Sequence, residues 1–209
     1  STAIGSGANA DSVQRGRSYL AGKLGQPVAA SEVVMTDDPT VGWATGSTSF
    51  DGEGVPAAPL VLVDGGVLVS YLHDSYTSGK ESRPSTGNAS RGGGAWSFRG
   101  APMISTSNLV VSSGDSSFEE MVRETKEGVY LRGTWDYPNL ATGEFSGLMM
   151  ESYLITNGEL GPALKQATLG IGMVDMMSRM DMLGGSRRTY FGVTAPHVRI
   201  SGARVGGSG

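Results

Sequence analysis

The chain has 209 residues, with 16 Lys and Arg against 20 Asp and Glu and a formal net charge of −4. That length can bury a sizeable core, but basic residues scattered through an acidic chain leave no footprint for a phosphate backbone, which excludes nucleic acid as a partner. With no Cys and only two His, disulfides and a self-contained catalytic zinc centre are excluded too, since such a centre needs about three converging protein ligands.

No run of eighteen apolar residues is present, and no charged segment followed by an apolar one opens the chain. No membrane is therefore expected as a partner, and the expected location is cytoplasmic. Glycine is the anomaly, at 33 residues, about twice its usual share. These glycines punctuate short β-branched runs without a fixed period, which predicts a turn-rich β protein.

Residues 11–24 (DSVQRGRSYLAGKL) read as an interrupted helix, with Asp11 as N-cap and Gly25 as stop. Val33 to Met35 is a strand candidate, and 37–51 is a loop rich in Gly, Ser and Thr. A hairpin follows, Leu60–Val63 and Val67–Leu72 flanking Asp64-Gly65-Gly66, because the turn needs positive φ. Residues 78–100 form a polar, glycine-laden loop, either a plain surface loop or a functional one. Met103 to Val111 reads as a strand.

SFEEMVRETKEG then reads as a helix, capped by a box of Ser116 with Glu119 or Ser117 with Glu120 and closed by Gly128 at C′. Phe118, Met121, Val122 and Thr125 share its apolar face. Val129 to Leu131 is a short strand, Trp135 to Gly147 a loop, and Ser152–Thr156 turns at Asn157-Gly158 into Glu159-Leu160. Ile171 to Leu183 reads as a third helix stopped by Gly184-Gly185, its methionines facing the core rather than an adaptable groove. HVRISGARVGG is a final strand. No tandem repeat or dividing linker is evident, and the mixed order predicts one α+β domain over 1–209, mostly antiparallel, with about three helices.

His73 and His197 are distant in sequence, and His73 at a strand end beside Asp74 is either a half-exposed polar residue or a base or ligand. Ser85 or Ser105 with His73 and an Asp would spell a triad, but no Gly-x-Ser-x-Gly elbow is present. Gly92-Gly93-Gly94 lacks the Lys-Ser/Thr of a phosphate loop. Glu119-Glu120 fits the positive end of a helix dipole, and Asp37-Asp38 before Pro39 reads as turn chemistry. Asp51 and Glu53 in DGEGVP set two carboxylates between glycines beside a rigid Val-Pro. Ser1 could act as an N-terminal nucleophile with its own amine as base, although the following residues supply no oxyanion hole.

Taken in order, DGEGVP (51–56), VDGGVLVSYLHDSYTSGK (63–80), STGN (85–88), GDSSFEEMVRETKEGVY (114–130), TGEFS (142–146), YLITNGEL (153–160) and the stretch 166–183 resemble the C-terminal half of the TldD/PmbA (TldD/TldE) family. The resemblance implies a β-rich C-terminal domain, with the family's N-terminal α/β domain not in this chain. It also brings the family's association with modulation of DNA gyrase. The family pairs a TldD-type zinc metallopeptidase with a metal-free TldE/PmbA-type subunit, and such pairs act on unfolded or ribosomally made precursor peptides. The zinc subunit carries His-Glu-x-x-x-His on a helix, with a Cys as further ligand. Here the matching stretch is Ser1 to Gly7: Ser1 and Ser6 stand for the two His and Thr2 for the Glu, within a retained Ala3-Ile4-Gly5 and Gly7 frame. Hydroxyls are poor zinc ligands and Thr is no base near neutral pH.

The resemblance thus implies a non-catalytic subunit without cofactor, zinc being expected in a TldD-type partner. Asp51, Glu53, Arg83, Thr86, Asn88 and Arg91 are the candidate peptide-binding residues. The partner is a TldD-type subunit or a second copy, the ligand an extended peptide added to a sheet edge. Two other readings stay open: a hydrolase in its own right, homodimeric with a relocated site or using Ser1 or His73, and a self-assembling β domain.

Overall fold

The structure, a computed structural model, describes residues 2–92, 99–165 and 167–206. Ser1, Gly93, Gly94, residues 95–98 of the polar loop and Gln166 lie outside the described residues, and with them the N-terminal nucleophile and most of the triple-glycine stretch.

Instead of one helix over 11–24, two short ones form, α1 (Thr2–Gly7) and α2 (Ala10–Gln14). Asn9, not Asp11, is the N-cap: its side chain accepts from the amides of Asp11 (3.0 Å) and Ser12 (3.3 Å), the usual use of an Asx side chain. Beyond Gln14 the chain runs in turns through Gly16, Gly22 and Gly25, all at positive φ, which an α-helix cannot continue.

The first strand lies two residues beyond its expected place, as β1 (Met35–Asp37). Asp37, expected in a turn, ends this strand as a buried residue. The hairpin joins β2 (Leu60–Asp64) to β3 (Val67–Leu68) through Gly65 (φ 53) and Gly66 (φ 78), the positive-φ pair of a primed turn. Its second arm is shorter than expected because the amides of Val69 and Ser70 both turn back to the Leu62 carbonyl. Helix α3 (Ser75–Lys80) follows, capped by an Asp74–Thr77 box.

The single strand expected over 103–111 is two. β5 (Met103–Ile104) pairs with β4 (Ala89–Ser90), while β6 (Leu109–Val111) lies between β1 and a later strand. The break is polar: the Ser107 amide donates to Asp37 Oδ1 (2.7 Å) and Asn108 Nδ2 to the Asp38 carbonyl (2.8 Å).

Helix α4 (Phe118–Arg123) has the expected Ser117–Glu120 box, with both reciprocal bonds formed. It ends at Glu124 rather than near Gly128, which instead belongs to β7 (Glu127–Gly133). β8 (Glu144–Leu148) begins inside the expected 135–147 loop, and β9 (Met150–Thr156) turns through Asn157 (φ 51) and Gly158 (φ 82) into β10 (Glu159–Ala163), as expected of Asn-Gly.

The helix expected over 171–183 survives only as α5 (Met173–Ser178), between β11 (Thr168–Gly172) and β12 (Met180–Tyr190). Ile171 pairs with Phe145, and Met180 to Leu183 with Val198 to Ile200; a continuous apolar run fits a buried strand as well as a helix. Met173 and Met177 are buried in the core, as expected. Gly184 and Gly185 do not stop a helix but lie in β12 where its register slips, and a Cβ on Gly184 would meet the His197 carbonyl at 3.2 Å. The last strand is likewise two, β13 (Val193–Ile200) and β14 (Arg204–Gly206), in different sheets.

The result is an α+β, β-rich fold. Its largest sheet runs β12-β13-β6-β1-β2-β3, with β13–β6 the parallel pair, and β10-β9-β7, β14-β11-β8 and β4-β5 form antiparallel sheets. Ile4 and Leu20, the strand residues Leu62, Val63 and Leu109, and Met177 of α5 share one buried cluster. Burying such a side chain stabilises by roughly 1.5–3 kcal/mol, so α1 is held by its packing rather than by its six-residue length.

Candidate functional site

Helix α1 is set by its small residues. Gly5 lies against Thr106, where a Cβ would overlap the threonine methyl, and a Cβ on Gly7 would stand 2.8 Å from the Tyr19 ring. Ile4 is fully buried and Ser6 is exposed. The retained frame therefore faces the protein, and Ser6, which stands for the second ligand, faces away from it.

Thr106 also belongs to the wall of a groove of about 360 Å³, which runs between the loop 46–52, residues 87–92 and residues 105–107. Asp51, Asn88 and Arg91 line it; Glu53, Arg83 and Thr86 do not. The structure thus brings half of the sequence-predicted set to one groove, with α1 packed behind its Thr106 wall through Gly5.

Most of that set is committed to the chain itself. Buried Asp51 accepts the amides of Glu53 (2.9 Å) and Val55 (2.9 Å) on one oxygen and the Ala89 amide (3.0 Å) on the other. It closes the DGEGV loop and ties it to β4. Glu53 Oε2 accepts the Ser75 amide (2.8 Å), an orphan donor at the start of α3. Thr86 Oγ1 accepts the His73 amide (2.7 Å) and lies 2.7 Å from Asn88 Oδ1. Asn88 Nδ2 then donates to Asp37 Oδ2 (2.7 Å). Arg91 donates through Nε to the Gly52 carbonyl (2.8 Å) and through Nη1 to Gly100 (2.6 Å), while Arg83 lies 3.6 Å from Glu81.

The end of this chain of bonds is Asp37, which sequence reasoning assigned to a turn. Its carboxyl is buried, and burial pushes its pKa above the ordinary value, opposed by the Ser107 amide and Asn88. No local signal marks such a residue, because its donors lie 51 and 70 residues away. The second missed residue is Ser107, which lines the groove; its hydroxyl is buried without a partner in normal hydrogen-bond geometry and joins its amide in opposing the rise of the Asp37 pKa.

The triad is not assembled. Ser85 Oγ reaches the His73 carbonyl (3.3 Å), not its ring, and Ser105 Oγ bonds the Thr106 carbonyl. Both ring nitrogens of the fully buried His73 lack a hydrogen-bond partner, with Glu81 3.8 Å from Nε2. Burial holds this imidazole below its usual pKa, against the opposing pull of Glu81.

A zinc ion does not fit the residues present. The described part of α1 offers no imidazole, carboxylate or thiolate beside the groove, and no group of three or more His, Cys, Asp or Glu converges among the described residues.

The fold is shared with solved structures. A putative modulator of DNA gyrase from Thermotoga maritima superposes with a TM-score of 0.84 at 30% identity, covering 95% of this chain and 44% of that one. TldE from Thermococcus kodakarensis superposes at 0.86 over 97% of this chain and 46% of its own; at 21% identity it shows the fold alone. The chain belongs to the PmbA/TldA metallopeptidase family: the model of that family's C-terminal domain matches residues 1–207. A protein of Methanothermobacter thermautotrophicus named metalloprotease is 35% identical over 99% of this chain and 47% of its own length. A metalloprotease of Methanocaldococcus jannaschii is 36% identical over 86% and 39%. The chain spans about half the length of the relatives it matches. No described helix is long and apolar enough to cross a membrane.

Proposed function

We propose that this chain is a TldE/PmbA-like subunit that binds and positions unfolded peptide beside a zinc-bearing TldD-type subunit, which performs the cleavage. The observation that carries the reading is the state of α1. Its packing frame is intact against Thr106 at the groove wall, while Ser6 stands where a metal ligand would. The names of the 35% and 36% identical relatives support a role in proteolysis. The groove, lined by Asp51, Asn88, Arg91 and Ser107, is the site proposed for the peptide. Zinc belongs to the partner in this reading, and the setting is cytoplasmic.

Mixing the chain with a zinc-bearing TldD-type homologue tests this. The expected result is a stable complex by size exclusion, with zinc in the partner and peptide trimming only by the pair. Ser105→Arg, at an exposed position lining the groove, is expected to abolish trimming without dissociating the pair. Peptidase activity with stoichiometric zinc from this chain alone overturns the proposal in favour of a hydrolase in its own right.

A further inference from the structure

A second groove, of about 570 Å³, lies along β7 and shares no lining residue with the first. Six consecutive residues of one segment, 130–135, line it. Successive side chains of a strand point to opposite faces, so this consecutive lining exposes backbone as well as side chains, and Met150 and Glu151 of β9 line the groove beside them. One edge of β7 is taken by β9, the strand it pairs with among the described residues. β7 is thus the end strand of its sheet, with backbone donors and acceptors that β9 does not use.

The opposite wall is the outer end of the β12–β13 hairpin, where residues 185–190 are all exposed. The floor is aromatic. Phe118 stands 4.8 Å from Tyr130 and 5.0 Å from His197 between ring centroids, and Tyr130 lies 6.3 Å from Tyr153. At the rims Trp135 is 71% and Tyr190 69% exposed, so large aromatic surface is held open to water on both sides of the groove.

The charges are unequal. Arg132 is matched by Glu151 at 2.8 Å, whereas Arg188 has no ion pair among the described residues. His197 adds no positive charge near neutral pH, because burial and Arg188 hold its pKa below the usual value. One unmatched cation remains, which favours a carboxylate over an ammonium group.

We propose that this channel is a second peptide-anchoring site, taking an extended segment that adds to the β7 edge and carries an aromatic residue next to a carboxylate. The aromatic side chain stacks against Tyr130 and Tyr190, and the carboxylate meets Arg188. The inference rests on the peptide-binding role proposed above and adds an anchor that holds substrate away from the α1 groove.

Fluorescence anisotropy with a labelled Gly-Ser-Phe-Asp-Gly-Ser peptide and its Phe-Lys counterpart tests it. The chain is expected to prefer the Phe-Asp peptide. Arg188→Glu should lower that affinity about tenfold and shift the preference to Phe-Lys, and Tyr190→Ser should weaken both. Both residues are exposed, and unchanged circular dichroism confirms folding of the variants. Ser105→Arg should leave binding in this channel unchanged. If the zinc-bearing pair trims peptide while Arg188→Glu and Tyr190→Ser alter neither binding nor trimming, the channel is overturned and the subunit role stands. If the two variants behave as expected but no pair forms, the role fails and the channel stands. Self-association that both variants abolish, without peptide binding, overturns the channel in favour of an interface between copies.

Discussion

Asp51→Ala removes the acceptor for three backbone N–H groups, at 2.9, 2.9 and 3.0 Å. A hydrogen bond to a charged acceptor contributes roughly 1.5–3 kcal/mol, and a buried donor left without a partner costs roughly 1–3. The Ala89 amide belongs to a buried residue, whereas Glu53 and Val55 are half-buried, where water replaces part of what is lost. The three bonds also share one loop, so their losses are not additive. The expected destabilisation is about 2–4 kcal/mol. Asp51→Asn keeps one acceptor oxygen but turns a donor toward a donor, for a cost of about 1–2 kcal/mol. Urea unfolding followed by circular dichroism should show the midpoint falling from wild type through Asn to Ala with an unchanged slope. Both variants should lose stability before they lose peptide affinity, because the carboxylate is already occupied. Midpoints of both variants within about 0.5 kcal/mol of wild type would refute the reasoning, since they would mean that the loop does not depend on this carboxylate.

Three further outcomes are expected. His73→Leu should change stability at pH 8 by no more than about 1.5 kcal/mol, since no hydrogen bond of the ring is lost and the volume is similar. The folded His73 pKa lies below 6.5, so the unfolded chain binds the proton more tightly and stability is lost as pH falls below about 6.5. His73→Leu should flatten part of that slope in urea titrations between pH 5 and 8, and His197, also lowered, should keep the rest. Asp37 has the opposite sign: its folded pKa is raised above 3.8, so its contribution is full below that value and lost as pH rises through the folded pKa. The stability of wild type relative to Asp37→Asn should therefore decline from about pH 4 upward, and a flat difference refutes the burial argument. Gly5→Ala should destabilise by about 1–3 kcal/mol through overlap with the Thr106 methyl, and Gly5→Ala/Thr106→Ser should recover most of it. Equal midpoints for the single and double variants would show that α1 moves freely.

What the sequence made legible was local. Asn157-Gly158 and Gly65-Gly66 need positive φ at adjacent residues, and Ser117 with Glu120 closes a box within one helical turn, so each was fixed by a few neighbours. The 171–183 run failed because its apolar residues satisfy a strand as readily as a helix, and the partners Phe145 and Val198 decided between them. The family resemblance implied Asp51 and Asn88 as residues of one site, and in the structure both line one groove. Asp37 was invisible because its role is defined by Asn88 and Ser107, across long stretches of chain. The β7 channel was hidden for the same reason, since β7 and β13 meet only in the folded state.

The polar residues around the α1 groove also bear on the kind of selectivity it would have. Asp51 and Glu53 accept backbone amides, Thr86 bonds Asn88, and Asn88 donates to Asp37. Arg91 binds two carbonyls. Side chains so occupied hold the shape of the groove and are poorly placed to read a ligand's side chains. If the proposed peptide role holds, such a site would read an extended main chain with little regard to sequence. Discrimination would then fall to a region with uncommitted aromatic and charged groups, and Tyr190 with Arg188 in the β7 channel supplies both. Under the two proposals the grooves would divide the work by chemistry, one sequence-neutral, the other selective for an aromatic beside an acid.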